Sequence, residues 1–323
     1  MKIINLILCM FFFSALFAQE ETAVLKTLTG NIEGTLLIPE QKTNIPVVLI
    51  ISGSGPTDRN GNQDEMENNS LKMLAEQFNK IGVASLRYDK RGIGQSSEVS
   101  NKDEMEMRIE TFMEDVRSWI DLLAADKRFS KIIVAGHSEG SLLGMVASVN
   151  NKKVKGFISI AGAGRPADEV IKEQLSTAPD EIKNKMYEML DKLKRGDSLG
   201  DVPPFFYALF RPTIQPYMKS WLKYNPQDEI KKLNMPVLIL NGDKDIQVGT
   251  KDAELLAKAN PKAQLKIIKG MNHVLKTCDT LDKKIQISTT YNNPSLPLNE
   301  ELCKEIATFM TAFIEPTSPK MKK

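Results

Sequence analysis

A five-residue stretch, Gly136-His137-Ser138-Glu139-Gly140, constrains the folding of this chain more than any other feature. It follows an apolar run rich in β-branched residues at 131–135 and precedes small and apolar residues at 141–147. The sequence therefore predicts a strand, a tight turn with Ser138 at its tip, and a helix. Such a turn strains the backbone, so the residues two before and two after the serine must be nearly free of side chain. The free N–H groups at the start of the helix can face an oxyanion.

The chain contains two histidines, which restricts the choice of a base for Ser138. His137 is held inside the turn and is poorly placed to take the proton of its neighbour. His273 follows a strand-like segment at 264–268 and a glycine turn at 270. If Ser138 is a nucleophile, His273 is therefore predicted to be its general base.

Two aspartates are candidates for the acid that orients His273. Asp243 and Asp245 follow a buried apolar strand within 235–248. The carboxyl ends of strands in an open α/β sheet are where such sites are built, and the chain order Ser, Asp, His is typical of this serine turn. From the residues alone either aspartate can orient the imidazole, and the other is expected to bond the backbone of its own turn.

Three further segments support a resemblance to a known family. Residues 50–56 (Ile-Ile-Ser-Gly-Ser-Gly-Pro) follow a predicted strand, residues 89–96 have the pattern D-x-R-G-x-G-x-S, and residues 242–248 have the pattern G-x-x-D-x-x-V. With these motifs and the serine turn, the chain resembles α/β-hydrolase fold serine hydrolases of the exported carboxylesterase or serine-aminopeptidase-like type. The resemblance covers roughly residues 30 to 315 and is weakest between about 165 and 230.

The resemblance implies a fold, a site and a reaction. The fold is α/β, with a mostly parallel central sheet, helices on both faces and an inserted cap. Asp245 is the implied acid because the family places it three residues after the glycine, and the backbone N–H groups of Ser54 and Glu139 are the implied oxyanion hole. Ser138 attacks a carbonyl carbon while His273 takes its proton, and water then cleaves the acyl-enzyme. No cofactor is needed.

The order of predicted elements divides the chain into regions. Strands alternate with helices except at 165–232, which we predict to be a cap over the active site; a separate small domain is the alternative. The hydrolase core then comprises 19–164 and 233–323. The predicted strands are 24–28, 32–38, 46–51, 83–88, 131–135, 154–160, one within 235–248, and 264–268. The predicted helices are 70–81, 104–126, 141–147, 255–259 and 302–313.

The N-terminus has the pattern of a secretory signal peptide. Lys2 precedes a short apolar run at 3–17, and Ala18 stands before a polar residue. We expect cleavage near Ala18, removal of residues 1–18, and an exported protein in the periplasm or outside the cell. The apolar run is short for a membrane span, so no stable span is expected after cleavage.

The composition of the chain limits the kinds of partner, such as nucleic acid or metal ions, that it is expected to bind. Lysine plus arginine (43) nearly balances aspartate plus glutamate (41), so no nucleic-acid surface is expected. No cysteine and histidine cluster has zinc spacing, and no acidic loop has calcium spacing, so no metal is required. Cys278 and Cys303 form one disulfide or remain two separate thiols, and the sequence leaves both open.

The substrate is predicted as a small-molecule acyl ester, with two alternatives. A peptidase would need acidic residues to recognise a free amino terminus, and Glu169, Glu173 or Asp180 can serve. A non-catalytic ligand-binding protein on the same fold is the other alternative. The aromatic residues of the predicted cap either line an acyl pocket or fill the core of the cap itself; they are Phe205, Phe206, Tyr207, Trp221 and Tyr224.

Overall fold

The computed structural model describes residues 19–40, 43–99 and 104–314, so the predicted signal peptide lies outside the described residues and stays a prediction. One eight-stranded sheet forms the centre of the molecule. Its strands are β1 (Gln19–Thr27), β2 (Gly30–Ile38), β3 (Ile45–Ile51), β4 (Ala84–Tyr88), β5 (Phe129–His137), β6 (Val154–Ile160), β7 (Val237–Gly242) and β8 (Gln264–Ile268). In space they follow the order β1-β2-β4-β3-β5-β6-β7-β8.

The direction of the strands is mixed at one edge of the sheet only. β2 runs antiparallel to both of its neighbours, β1 and β4. From β4 through β3, β5, β6 and β7 to β8 every pair is parallel. All the carboxyl ends of these six strands therefore meet at one edge of the sheet, where ligand sites of such sheets lie.

Helices cover both faces of the sheet. They are α1 (Ser70–Lys80), α2 (Ile109–Ala125), α3 (Glu139–Ser148), α4 (Ala167–Gln174), α5 (Asp180–Lys194), α6 (Tyr207–Phe210), α7 (Gln215–Trp221), α8 (Pro226–Ile230), α9 (Thr250–Ala259), α10 (Lys283–Gln286) and α11 (Glu300–Met310). Val47, Leu49 and Ile51 of β3 pack into a core with α2, α3 and α9, whereas Val48 and Ile50 pack into a second core with α1 and α11. Burial on both faces explains why β3 is a continuous apolar run.

The predicted helix at 104–126 has the right periodicity but the wrong start. Residues 104–106 form a separate 3₁₀ turn, Arg108 is extended, and α2 begins at Ile109. The Ile109 N–H donates to the hydroxyl of Ser220 at 2.8 Å. The start of α2 is therefore satisfied by a residue more than a hundred positions away, which local sequence cannot indicate.

Between β6 and β7 the chain adds a helical insertion, defined here as residues 165–232. It contains α4 to α8 and has a hydrophobic cluster of its own. The most buried members of that cluster are Met189, Leu190, Leu193, Val202, Phe210, Met218 and Leu222.

The cysteines and the segment before α11 complete the fold. Cys278 and Cys303 are free thiols, the first buried and the second partly buried. A short helix, α10, and a π-helical turn (Ile287–Tyr291) occupy a stretch for which the sequence predicts no element. In the described part of the chain, no helix is both long and apolar enough to cross a membrane.

Candidate active site

Ser138 stands at the tip of the turn between β5 and α3, in a backbone conformation with φ 53° and ψ −122°. This conformation is strained for a residue with a side chain. A Cβ at Gly136 would lie 2.2 Å from the carbonyl oxygen of Gly140, and one at Gly140 would lie 2.4 Å from that of Ile51. Both positions therefore require glycine, because neighbouring backbone leaves no room for a side chain. The turn packs directly against the end of β3.

The loops after β7 and β8 bring Asp245 and His273 together. His273 Nδ1 donates to Asp245 Oδ2 at 2.8 Å, because a carboxylate oxygen can only accept. The other oxygen of Asp245 accepts the N–H groups of Gln247 at 2.8 Å and Val248 at 2.9 Å. The Asp245 side chain has no exposed surface, so these three donors replace water around its charge. With the proton on Nδ1, Nε2 keeps a lone pair that can accept a proton.

Asp243 makes hydrogen bonds to the backbone and not to His273. Its carboxylate accepts the N–H of Gly270 at 2.7 Å, and its own N–H donates to the carbonyl of Ile268 at 3.1 Å. Asp243 therefore ties the end of β7 to the turn after β8. Of the two aspartates that the sequence left open, the structure joins Asp245 to the imidazole.

His137 connects the serine turn to the histidine loop. Its Nε2 donates to the carbonyl oxygen of His273 at 2.9 Å, and the two imidazole rings lie 4.8 Å apart. Burial, and then the nearby His273, lowers the pKa of His137 to about 3. His137 is consequently neutral near pH 7 and holds the backbone of His273 beside Ser138. No hydrogen bond joins the Ser138 hydroxyl to His273 among the described residues.

The sequence reasoning missed Lys90 and Tyr217 as site residues near Ser138, and it named Glu139 only for its backbone N–H and not for its side chain. Lys90 Nζ donates to the carbonyl oxygen of Gly53 and to Glu139 Oε2, the second at 3.1 Å. The Tyr217 hydroxyl donates to Glu139 Oε1, and burial together with the charge of Glu139 raises the pKa of Tyr217 well above the usual value. The sequence offered one signal for Lys90 and Glu139, because each is a charged residue inside a tight turn that contains glycines. Tyr217 gave no local signal, because its partner lies 78 positions away.

A cavity of about 840 Å³ opens beside Ser138. The residues of the proposed oxyanion hole, Ser54 and Glu139, line it together with Ser138. Most of the remaining wall is apolar and comes from α2, α3, the insertion and the segment just before α2. It includes Met107, Phe112, Leu142, Val170, Ile171, Leu175, Leu209, Ile214, Met218 and Trp221.

The charged groups in the cavity wall are paired. Arg91 binds Asp115, Arg165 binds Asp252 and Glu173, and Arg211 binds Glu104. The cavity wall therefore carries little net charge.

The acidic residues considered for a peptidase do not line this cavity. Glu169 is exposed, Glu173 pairs with Arg165, and Asp180 pairs with Lys183.

The aromatic residues of the predicted cap divide between the two uses considered for them. Trp221 and Tyr224 line the cavity, whereas Phe206 belongs to the hydrophobic cluster of the insertion. Phe205 and Tyr207 are exposed. Among the described residues, no group of three or more His, Cys, Asp or Glu side chains is arranged to hold a metal ion.

Comparison with known proteins agrees with this architecture. The family model described as serine aminopeptidase, S33, matches residues 66–199. Esterase EstD of Thermotoga maritima is 28% identical over 261 residues, which is 77% of this chain and 60% of EstD. The chain thus spans about 60% of the length of this curated relative.

Solved structures with a similar fold include several α/β-hydrolases and esterases. Est1E from Butyrivibrio proteoclasticus has a TM-score of 0.57 at 18% identity, covering 90% of this chain and 98% of Est1E. Est1E with bound ferulic acid gives 0.59 at 19% identity, over 90% and 99% of the two chains. The α/β-hydrolase GrgF from Penicillium sp. sh18 gives 0.60 at 16% identity, over 92% and 99%. The predicted α/β-hydrolase fold is confirmed.

Proposed function

We propose that this chain, an α/β-hydrolase of the serine hydrolase type, cleaves carboxylic esters with Ser138 as nucleophile, His273 as base and Asp245 as the acid that orients it. One observation carries the proposal: a buried carboxylate holds the His273 ring at the sheet edge where a strained serine turn opens into a cavity. The curated relative EstD is named an esterase, which supports the same reaction class.

The proposed reaction begins with attack of Ser138 Oγ on the ester carbonyl carbon. His273 Nε2 takes the hydroxyl proton, and Asp245 stabilises the imidazolium that forms. The carbonyl oxygen becomes an oxyanion between the N–H of Glu139, at the start of α3, and the N–H of Ser54. Collapse expels the alcohol, which receives the proton from His273. Water activated by His273 then hydrolyses the acyl-enzyme and restores the serine.

Cavity charge favours an ester over a peptide with a free amino terminus. An ammonium group taken out of water needs an unpaired carboxylate. The two glutamates in the described cavity wall are both committed, Glu104 to Arg211 and Glu139 to Lys90 and Tyr217. A neutral apolar acyl or aromatic group suits this wall better. Aminopeptidase activity is the second candidate, favoured by the description of the matching family model.

A serine-directed fluorophosphonate probe tests the proposal most directly. The wild-type protein is expected to label once and to hydrolyse activated esters, whereas Ser138→Ala is expected to lose labelling and nearly all turnover. Ser141→Ala is the matched control, because its hydroxyl lies one helical turn away and bonds Ser159 instead. A wild-type protein that binds an ester without labelling would support the non-catalytic alternative.

A panel of chromogenic substrates distinguishes an esterase from a peptidase. Esters of graded acyl length and an ester of an aromatic acid are compared with aminoacyl anilides under the same conditions. The proposal expects kcat/KM for the best ester to exceed that for every anilide. The reverse order would establish the peptidase.

A further inference from the structure

We propose that Lys90, Glu139 and Tyr217 are positioning residues that hold the two oxyanion donors in place and link them to the insertion. The inference rests on the proposed function, since it concerns the same site. It assigns a role to a buried polar cluster that the Ser138, His273 and Asp245 reaction does not itself use.

One peptide unit connects Lys90 to the first oxyanion donor. The carbonyl of Gly53 and the N–H of Ser54 belong to the same planar group, and no cis peptide is present among the described residues. In a trans peptide the C=O and the N–H point in opposite directions. Lys90 Nζ donates to the Gly53 oxygen and thereby fixes the direction in which the Ser54 N–H points. Ser54 lines the cavity, so the bond from Lys90 to Gly53 positions one wall of the oxyanion hole.

Lys90 is also tied to the second donor. Glu139 supplies the second N–H, and its own side chain accepts from Lys90. One ammonium group therefore bonds both the loop after β3 and the first residue of α3. The distance between the two oxyanion donors is then set by a single bridge across the site.

Burial makes this bridge stiff. The Lys90 and Glu139 side chains are only 5% and 3% exposed. Neither charge can turn to water when the pair is disturbed, and leaving one of them unpaired is costly. The Phe112 ring lies 6.0 Å from Lys90 Nζ and closes the remaining side. Such a pair has one low-energy arrangement, which is what a preorganised oxyanion site requires.

Tyr217 joins the insertion to this bridge. It belongs to α7, and its hydroxyl donates to the Glu139 oxygen that Lys90 does not bind. Its ring packs edge-on against Phe112 of α2 at 5.8 Å. A displacement of α7 would remove one donor from Glu139. The insertion is thus joined to the oxyanion hole by a hydrogen bond as well as by the cavity wall.

The test compares Lys90→Met, the double variant Lys90→Met with Glu139→Gln, and Tyr217→Phe. Each is assayed for kcat and KM on a small activated ester and for inhibition by a trifluoromethyl ketone. In the ketone adduct a bond forms from Ser138 Oγ to the carbonyl carbon, the serine proton passes to His273, and the oxygen becomes an anion in the oxyanion hole. Affinity for the ketone therefore reports that hole, as binding of a transition-state analogue does.

Lys90→Met is expected to lower kcat by about 10²-fold, the scale of losing one oxyanion donor. KM should change little, and the inhibition constant of the ketone should rise by about the same factor as kcat falls. The double variant removes both charges and so restores neutrality, but it still leaves the Gly53 carbonyl free. It should regain thermal stability while remaining slow. Tyr217→Phe should show the same pattern several-fold more weakly.

A purely structural role predicts a different result. The variants would then lose Tm while the folded protein kept wild-type kcat and ketone affinity, or the double variant would recover full activity; either outcome overturns the inference. Lys194→Met, which breaks a pair with the buried Asp168 inside the insertion, is the matched control and should leave kcat unchanged. If neither Lys90 variant folds, Tyr217→Phe decides alone, because it keeps the ring and removes one hydroxyl. An inactive, unlabelled wild type would instead refute the proposed function.

Discussion

The sheet edge that carries the candidate site and the insertion that lines part of its cavity are held by different kinds of contact. At the sheet edge, Gly140 lies against the backbone of Ile51, and Asp245 is bound by two backbone N–H groups. The insertion is joined to the core through side chains. These contacts include Arg165 with Asp252, Arg211 with Glu104, Ser220 with the Ile109 N–H, Tyr217 with Glu139, and Tyr224 with Glu110.

The two kinds of contact meet two different requirements of the site: the reacting groups must stay in place, and the shape of the cavity must be able to change. Backbone contacts depend little on which side chains surround them, so they keep the reacting groups in place while the surroundings vary. Side-chain joints change with single substitutions, so the insertion can change the shape of the cavity without moving the sheet edge. We expect the choice of substrate to depend on the insertion. The chemistry is expected to depend on the sheet edge and on Tyr217, the insertion residue that bonds Glu139 beside the oxyanion donors.

The largest effect is expected for Asp245→Asn. The amide keeps the shape of the carboxylate but presents a donor or a neutral acceptor to His273 Nδ1, and so favours the wrong tautomer. The same change of acid to amide in a serine protease triad lowers kcat by about 10⁴-fold, and a loss of that order is expected here. Steady-state kinetics with an activated ester measures it.

Asp243→Asn is the matched control for that prediction. Asp243 accepts one backbone N–H, from Gly270, so its replacement should cost about 1 kcal/mol of unfolding free energy and leave kcat near wild type. A slow Asp243 variant beside an active Asp245 variant would reverse the assignment of the acid.

A smaller effect is expected at Lys276, where a side chain, unlike the backbone contacts nearby, anchors the histidine loop. Lys276 has no exposed surface, and its ammonium group donates to the carbonyl of Leu296 and to the Met73 sulfur. No carboxylate pairs with it in the described part of the chain. Burial lowers the pKa of Lys276 from 10.5 to about 8.

The direction in which pH changes the stability follows from the two pKa values of Lys276, 10.5 in the unfolded chain and about 8 in the folded chain. Below pH 8 the folded and unfolded chains both hold the proton, so the cost of burying the charge is constant. Above pH 8 the folded chain releases the proton while the unfolded chain keeps it, so stability rises with pH. Relative to Lys276→Met, the wild type should gain about 2 kcal/mol of unfolding free energy between about pH 8 and 9.5. Urea unfolding of both proteins at the two pH values measures the gain, and parallel pH dependences would refute it.

The sequence predicted the sheet edge well because its signals are local. The central parallel strands β3, β5, β6 and β7 contain buried apolar runs, and the strained turn at Ser138 requires glycines at fixed distances. β2 and β3 were predicted within two residues of their bounds, β6 and β8 were predicted with their observed bounds, and β1 begins five residues before its predicted start. The family resemblance implied Asp245, three residues after Gly242, as the acid, and the structure joins it to His273.

The parts that the sequence did not predict depend on contacts between distant residues. The start of α2 is set by Ser220, and Tyr217 reaches Glu139 from the insertion. The π-helical turn and α10 lie in a mixed polar stretch without a regular apolar period. The use of Trp221 for the cavity and of Phe206 for the insertion cluster also depends on packing, because both are aromatic residues in irregular surroundings.

The smallest predicted effect tests the insertion directly. Trp221 lines the cavity and packs beside Tyr217, with 6.1 Å between ring centroids. Trp221→Ala should enlarge the cavity and shift preference towards bulkier acyl groups, by about tenfold in the ratio of kcat/KM for a long-chain ester to that for an acetate. Turnover of the acetate itself should stay near wild type, since the sheet edge is untouched.

Phe205→Ala provides the control within the same insertion. Phe205 is 72% exposed and does not line this cavity, so its loss should leave the ratio unchanged. Both variants are compared across the same series of esters. An equal fall in kcat for every ester in Trp221→Ala would show that Trp221 supports the chemistry itself, and its assignment to the choice of substrate would then be wrong. A shift confined to the longer esters places the choice of substrate on side chains, because a change of cavity volume is felt only by acyl groups that reach it.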